Sequence, residues 1–212
     1  MSNKFREIYT KSIDDPENFW REASENIFWF RKPNKILNKS NPPFYKWYED
    51  GVTNTCYNAL DHHIDQGKGN KTALIYDSPI TGNKSKFTYE ELRSKVSKFA
   101  GALVDHGINK GDRVIIYMPM IPEAVVAMLG CARVGAIHSV VFGGFASNEL
   151  ASRIDDSKAK LLVTASCGFE PGRTVEYKPL VDEAVKLANH KISKMILFQR
   201  KGHEVKLNAP VE

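Results

Sequence analysis

The run from Gly111 to Asp156, GDRVIIYMPMIPEAVVAMLGCARVGAIHSVVFGGFASNELASRIDD, constrains the fold more than any other part of the chain. Short, nearly continuous apolar segments, RVIIYM and HSVVF, alternate in it with longer segments bearing helix start and stop signals. Parallel strands need a long crossover, which a helix supplies, so this alternation predicts βαβ units and a parallel sheet. Strands that are apolar throughout, rather than at every second residue, are expected when helices cover both faces of the sheet. One helix is expected from Pro122 to Val134, closed by Gly135, and the next from Ser147 to about Ser157. The rhythm continues through the strand KLLVTAS, a polar loop CGFEPGRTVEYK, a helix from Pro179 to Asn189 and the strand KMILFQR. The tail from Lys201 to Glu212 reads as a loop.

Upstream, TALIYD and KSKFTY are β-prone runs separated by SPITGN, which supplies turn residues, so a hairpin is expected. Thr88 and Glu91 have the spacing of a capping box, and Leu92, Val96, Phe99 and Leu103 recur at helical spacing until Gly107. Residues 1–66 have no sustained period and are rich in aromatics, Asn and Pro. They read as short helices around Trp20, Trp29 and Trp47, wrapping a larger body. The fold class is therefore α/β, a parallel sheet flanked by helices, preceded by a mainly helical extension.

With 42% hydrophobic residues, the 212-residue chain can bury a sizeable core. Its net charge of +5 is scattered rather than gathered into a groove-reading run, so a solvated basic surface is expected and no nucleic-acid partner. The three cysteines, Cys56, Cys131 and Cys167, lack CxxC spacing and are odd in number. That argues against a disulfide framework or a zinc cluster and fits a reducing cytoplasm. The start, MSNKFREIYTKSIDD, has neither the apolar core of a signal peptide nor the acid-poor composition of a transit peptide. Between Pro119 and Phe145, Glu123, Arg133 and His138 interrupt the apolar run before it reaches the ~20 residues a bilayer crossing needs. That stretch reads as core, and no membrane association is expected.

Several residues invite a chemical reading. Gly143 and Gly144 follow a strand and precede a helix, where ligands of α/β sheets gather and where absent side chains permit close approach. Tight strand-to-helix packing also needs glycine, and on the residues alone it is the simpler reason. GFEPGRT, from Gly168 to Thr174, is not a phosphate-binding P-loop: three residues separate its glycines where that motif has four, and Arg173 stands in place of lysine. His62 and His63 are adjacent on an expected helix and so point apart, as surface residues would. His138 reads as a hydrogen-bonded core histidine and Cys131 as an inert packing residue. Cys167, in the expected loop, is the cysteine with exposure, but no histidine lies near it in sequence to activate it.

The chain resembles, over nearly its whole length, the N-terminal part of AMP-forming short-chain acyl-CoA synthetases, the acetyl- and propionyl-CoA synthetase branch of the adenylate-forming superfamily. DDPENFWREASENIFWFRKPNKIL and WYEDGVTNTCYNALDHHI are similar to that family's N-terminal extension, and the run from TALIYD through IPEAV to its opening hairpin, helix and strand. VVFGGFASNELASRIDD and TASCGFEPGRTVEYKPLVDEA resemble the propionyl type more than the acetyl type. The resemblance implies residues 1–66 as the N-terminal extension and 67–212 as the first part of the AMP-binding, or adenylation, domain.

It further implies an acid:CoA ligase whose substrates are ATP with Mg²⁺, CoA and a short-chain carboxylate. Gly143 and Gly144 would border the tunnel taken by the pantetheine arm of CoA. In acetyl-CoA synthetases the loop matching GFEPGRT reads Arg-Gly-Gly-Arg, and both arginines hold phosphates at the adenosine end of CoA. Here Glu170 and Pro171 replace the first two, while Gly172 and Arg173 match the others. Arg173 keeps a fork of donors suited to phosphate, and Glu170 would repel it. The family's Ser/Thr/Gly-rich phosphate loop, YTSGTTGxPKG, and its catalytic lysine do not occur in this sequence. The chain is therefore expected to hold no catalytic residue of its own and no bound cofactor, to be inactive alone, and to associate with the remainder of the adenylation domain or with itself. A CoA-binding module and a subunit of a split enzyme are the alternatives.

Overall fold

A computed structural model describes residues 3–192 and 194–207; the last five residues of the expected terminal loop, 208–212, lie outside the described residues. The chain forms two compact units, Met1–Asn58 and Ala59–Glu212.

In the first unit, α1 (Asn3–Asp14) is followed by α2 (Pro16–Ser24), which Asp15 caps by accepting from the Asn18 amide at 3.4 Å. Two two-residue strands, β1 (Leu37–Asn38) and β2 (Lys46–Trp47), pair antiparallel. Aromatic side chains fasten the irregular stretches: Trp29 packs on Tyr48 at 5.4 Å, and the Tyr48 hydroxyl donates to the Trp20 carbonyl at 2.8 Å. Trp29 also donates through its indole nitrogen to the Ser24 carbonyl, which satisfies the polar edge of a half-buried ring.

The second unit contains a hairpin, β3 (Thr72–Ser78) with β4 (Asn83–Thr88), leading into α3 (Tyr89–Asp105). The capping box is formed in both directions: the Thr88 amide donates to Glu91 Oε2 at 2.8 Å, and the Glu91 amide to Thr88 Oγ1 at 3.2 Å. Such a cap stabilises a helix by about 1 kcal/mol. There follow β5 (Arg113–Met118), α4 (Pro122–Val134), β6 (Ile137–Phe142), α5 (Ser147–Ser157) and β7 (Leu161–Ala165). Gly135 ends α4 with φ of 77°, the left-handed conformation that its missing side chain permits.

CGFEPGRTVEYK is not a loop but a tight hairpin, β8 (Cys167–Glu170) and β9 (Arg173–Glu176), paired from Cys167↔Glu176 to Glu170↔Arg173. Pro171-Gly172 makes its two-residue turn, with Gly172 at φ 75°, and β-prone Phe169, Thr174 and Val175 flank it. The helix after it, α6 (Tyr177–Leu187), starts two residues before the expected proline, and β10 (Lys194–Phe198) closes the sheet.

The central sheet is parallel throughout, in the order β10-β7-β5-β6. Side chains of alternate residues enter two cores. Val114, Ile116 and Met118 of β5 join Leu103 of α3 and Ala127 and Cys131 of α4, while Ile115 and Tyr117 join Leu150 and Ile154 of α5 and Val181 and Ala184 of α6. Burying each large aliphatic side chain contributes about 1.5–3 kcal/mol, so two covered faces dominate the stability of the sheet. The outermost strand departs from the expected burial: in β6, Ile137, Val140 and Phe142 are exposed at 56%, 54% and 71%. Among the described residues, β6 pairs on one side only, and of its apolar side chains Val141 alone is buried.

No helix among the described residues is long and apolar enough to cross a membrane.

Candidate functional site

The carboxyl ends of β5, β6 and β7 converge where the Gly143-Gly144 turn meets the β8–β9 hairpin. Beneath the turn lie two buried tyrosines with ring centres 5.0 Å apart, Tyr117 from β5 and Tyr177 from the start of α6. The Tyr117 hydroxyl donates to the Phe145 carbonyl at 2.8 Å and accepts from the Gly144 amide at 3.2 Å. Burial, reinforced by Tyr117 and the Glu170 carboxylate, pushes the Tyr177 hydroxyl up to about 12, and burial also raises that of Tyr117. Both stay protonated at neutral pH, which leaves Tyr117 able to donate.

The two glycines of the turn serve different purposes. A Cβ on Gly143 would run into the Tyr177 hydroxyl and lie 2.9 Å from the Met118 carbonyl oxygen, so the protein itself fills that space. Gly168 is in the same position, with the Tyr177 hydroxyl 2.7 Å from where its Cβ would stand. Gly144 has φ of 95°, which demands glycine, and the atom nearest its absent Cβ is Glu170 Oε1 at 3.6 Å.

Glu170 therefore stands between Gly144 and Arg173. Its Oε2 accepts from both Arg173 Nε and Nη2, each at 2.7 Å, and the arginine side chain is 71% exposed. An exposed ion pair of this kind contributes about 0–1 kcal/mol. A phosphate accepting from the same guanidinium gains about 1.5–3 kcal/mol, so Glu170 opposes such a ligand without excluding it. The structure thus brings Gly144, Glu170, Gly172 and Arg173 onto one surface, although the two segments lie far apart in sequence.

Other expected reactive groups are elsewhere or inert. Cys167 begins β8 and is buried, which corrects the expectation of an exposed thiol; burial raises its pKa. The hairpin accounts for this, because pairing with β9 tucks the first residue of β8 against the sheet end. Cys131 is buried with its thiol pushed up to about 12. His138 lies within edge strand β6, half-buried, its pKa lowered by burial. His62 and His63 lie on a helical stretch, and the His63 ring packs at a tilt against Tyr89, ring centres 4.9 Å apart. Among the described residues, no group of three or more His, Cys, Asp or Glu side chains could hold a metal ion.

Tyr117 and Tyr177 were not legible as site residues. A signal for Tyr117 does exist: a lone phenol at the end of the aliphatic strand RVIIYM must find a hydrogen-bond partner when buried.

A sequence profile described as "AMP-binding enzyme" matches residues 60–210, and one described as "Acetyl-coenzyme A synthetase N-terminus" matches residues 5–59. The protein named "Acyl-CoA synthetase short-chain family member 3, mitochondrial" from Homo sapiens is 53% identical over 208 residues, 98% of this chain and 30% of that protein. The Bos taurus protein of that name is 53% identical over 197 residues, 93% of this chain and 29% of its own length. "Acetyl-coenzyme A synthetase" of Streptomyces avermitilis is 45% identical over 204 residues, 96% of this chain and 31% of that protein. The chain spans about 30% of the length of the curated relatives it matches. On the profile match across the parallel sheet and its strand-end turns, and on these likenesses, the chain belongs to the AMP-binding enzyme family, in its short-chain acyl-CoA synthetase branch.

Proposed function

We propose that this chain is the N-terminal part of an AMP-forming acid:CoA ligase that acts on a short-chain carboxylate, propionate in preference to acetate. In that reaction the carboxylate attacks the α-phosphorus of ATP, pyrophosphate leaves, and an acyl-adenylate forms. The thiol of CoA then attacks the acyl carbon, and AMP leaves. ATP with Mg²⁺, CoA and the acid are substrates of this reading, not resident groups. Propionate stands first because VVFGGFASNELASRIDD and TASCGFEPGRTVEYKPLVDEA resemble the propionyl type.

The observation that carries the reading is the shared surface of Gly144, Glu170, Gly172 and Arg173 at the carboxyl ends of a parallel sheet. Arg173 would take a phosphate at the adenosine end of CoA, the positive-φ turn at Gly172 presenting it. The Gly143-Gly144 turn would border the pantetheine arm. One guanidinium already engaged by a carboxylate suits one phosphate, bound less firmly than by two free arginines.

The open edge of β6 supports the remainder of the adenylation domain as the chain's partner, since an unpaired apolar edge invites another strand. It equally suits a subunit of a split enzyme; an in-frame phosphate loop encoded after Glu212 would decide against that. Three buried cysteines, none of them in a disulfide, suit a reducing compartment, the cytoplasm in this reading.

The test is to incubate the chain with ATP, Mg²⁺, CoA and propionate, and separately to titrate CoA by calorimetry. No acyl-CoA above the protein-free control is expected, together with CoA binding that Arg173→Ala weakens roughly ten- to a hundred-fold. Acyl-CoA made by this chain alone, or CoA binding indifferent to Arg173→Ala, overturns the reading.

A further inference from the structure

We propose that Tyr117 is the positioning residue of the Gly143-Gly144 turn, setting the backbone surface that the turn offers to the amide-bearing arm of CoA. The inference rests on the CoA reading given above.

The turn has little to hold it in place by itself. Its own backbone bond runs from the Phe145 amide to the Phe142 carbonyl at 3.2 Å, and α5 begins after it with no side-chain cap on its first turn. Two further backbone groups, the Gly144 amide and the Phe145 carbonyl, are tied to a single atom, the Tyr117 hydroxyl, at 3.2 and 2.8 Å. That hydroxyl is itself immobile. Tyr117 is fully buried, packs against Tyr177, and lies in central strand β5, where its carbonyl accepts from the buried Thr164 hydroxyl at 2.8 Å. The Tyr177 hydroxyl occupies the notch left by Gly143 and Gly168, so the turn cannot sink toward the sheet. Gly144, held by Tyr117 at φ 95°, stands beside Glu170 and hence beside Arg173. Tyr117 thus links the rigid sheet to a segment of this surface that lies in neither a strand nor a helix. Removing the hydroxyl leaves an amide and a carbonyl without their partner and lets the turn move relative to Arg173.

This division predicts a split between the two ends of CoA. The nucleotide end, on Arg173, should not sense Tyr117; the pantetheine end should. In the 212-residue chain, Tyr117→Phe keeps the ring and removes the two bonds. Calorimetry with CoA and with adenosine 3′,5′-bisphosphate, which lacks the pantetheine arm, reads the split. Amide hydrogen exchange at Gly144 and along β5 shows whether the turn alone has loosened. The expected result is CoA weakened roughly ten-fold, the bisphosphate unchanged, and faster exchange at Gly144 with β5 unaltered.

Unchanged CoA affinity in Tyr117→Phe, with the parent chain binding CoA, overturns this inference alone. So does equal weakening of both ligands, which would mark a general loss of structure. A parent chain that binds neither ligand overturns the underlying CoA reading instead. Should Tyr117→Phe fail to fold, Gly144→Ala strains the turn while the hydroxyl stays. It should weaken CoA and spare the bisphosphate, and absence of that split counts against the inference in the same way.

Discussion

Glu170 and Arg173 face each other across the Pro171-Gly172 turn, and one carboxylate oxygen accepts from both Nε and Nη2 of the guanidinium at 2.7 Å. The glutamate is thus less a source of repulsion at a distance than a built-in competitor for the arginine's fork. Its neutralisation should free Arg173 for an external anion.

Glu170→Gln is therefore expected to tighten CoA binding by up to about five-fold, the gain from releasing an exposed pair worth about 0–1 kcal/mol. Glu170→Arg should tighten it further by adding a second fork. Arg173→Lys, which keeps charge but loses the fork, should behave more like Arg173→Ala than like the parent. Titration calorimetry at constant ionic strength checks all three. Glu170→Gln binding more weakly than the parent would show that the carboxylate orders Arg173 instead of competing for it.

Gly143→Ala should destabilise the chain by about 1–3 kcal/mol, because the added methyl meets a backbone carbonyl and the Tyr177 hydroxyl and the core has no room to yield. Gly101→Ala, where a Cβ meets nothing within 4 Å, serves as the comparison and should not destabilise. Urea midpoints of the two variants measure the difference.

Asp112 should make stability depend on acid pH. The Lys160 ammonium at 2.7 Å, then the Asn109 amide at 2.9 Å, hold its pKa below the usual carboxylate value. The folded pKa lies below the unfolded value of about 3.9, so the unfolded chain binds more protons in acid. The contribution is complete above about pH 4 and is lost as pH falls through the folded pKa. Asp112→Asn should be less stable at neutral pH and show a shallower acid limb when melts are followed from neutral pH downward.

The exposed edge of β6 should drive self-association of the chain on its own. Sedimentation velocity at micromolar concentration is expected to show species larger than monomer, and Val140→Lys with Ile137→Lys should shift them to monomer without lowering the melting temperature. A parent chain that sediments as a clean monomer with a cooperative melt would point to a self-contained module.

Local pattern was sufficient for most of the framework. The apolar runs RVIIYM and HSVVF, the Thr88–Glu91 capping box, and the closing Gly135 placed β5, β6, α3 and α4 to within a residue or so, because caps and periodicity act over a single turn or a few residues. The likeness to short-chain acyl-CoA synthetases was likewise carried by contiguous segments. The β8–β9 hairpin was misread as a loop because its strands are only four residues each and its polar positions gave no alternation to follow. Only the tertiary structure decided the sheet order, the exposure of β6, the burial of Cys167 and the grip of Tyr117 on a turn 27 residues further along the chain. Each of these depends on which elements become neighbours after the crossovers are made, and that is settled by packing two helical layers against one sheet, not by any signal within a single segment.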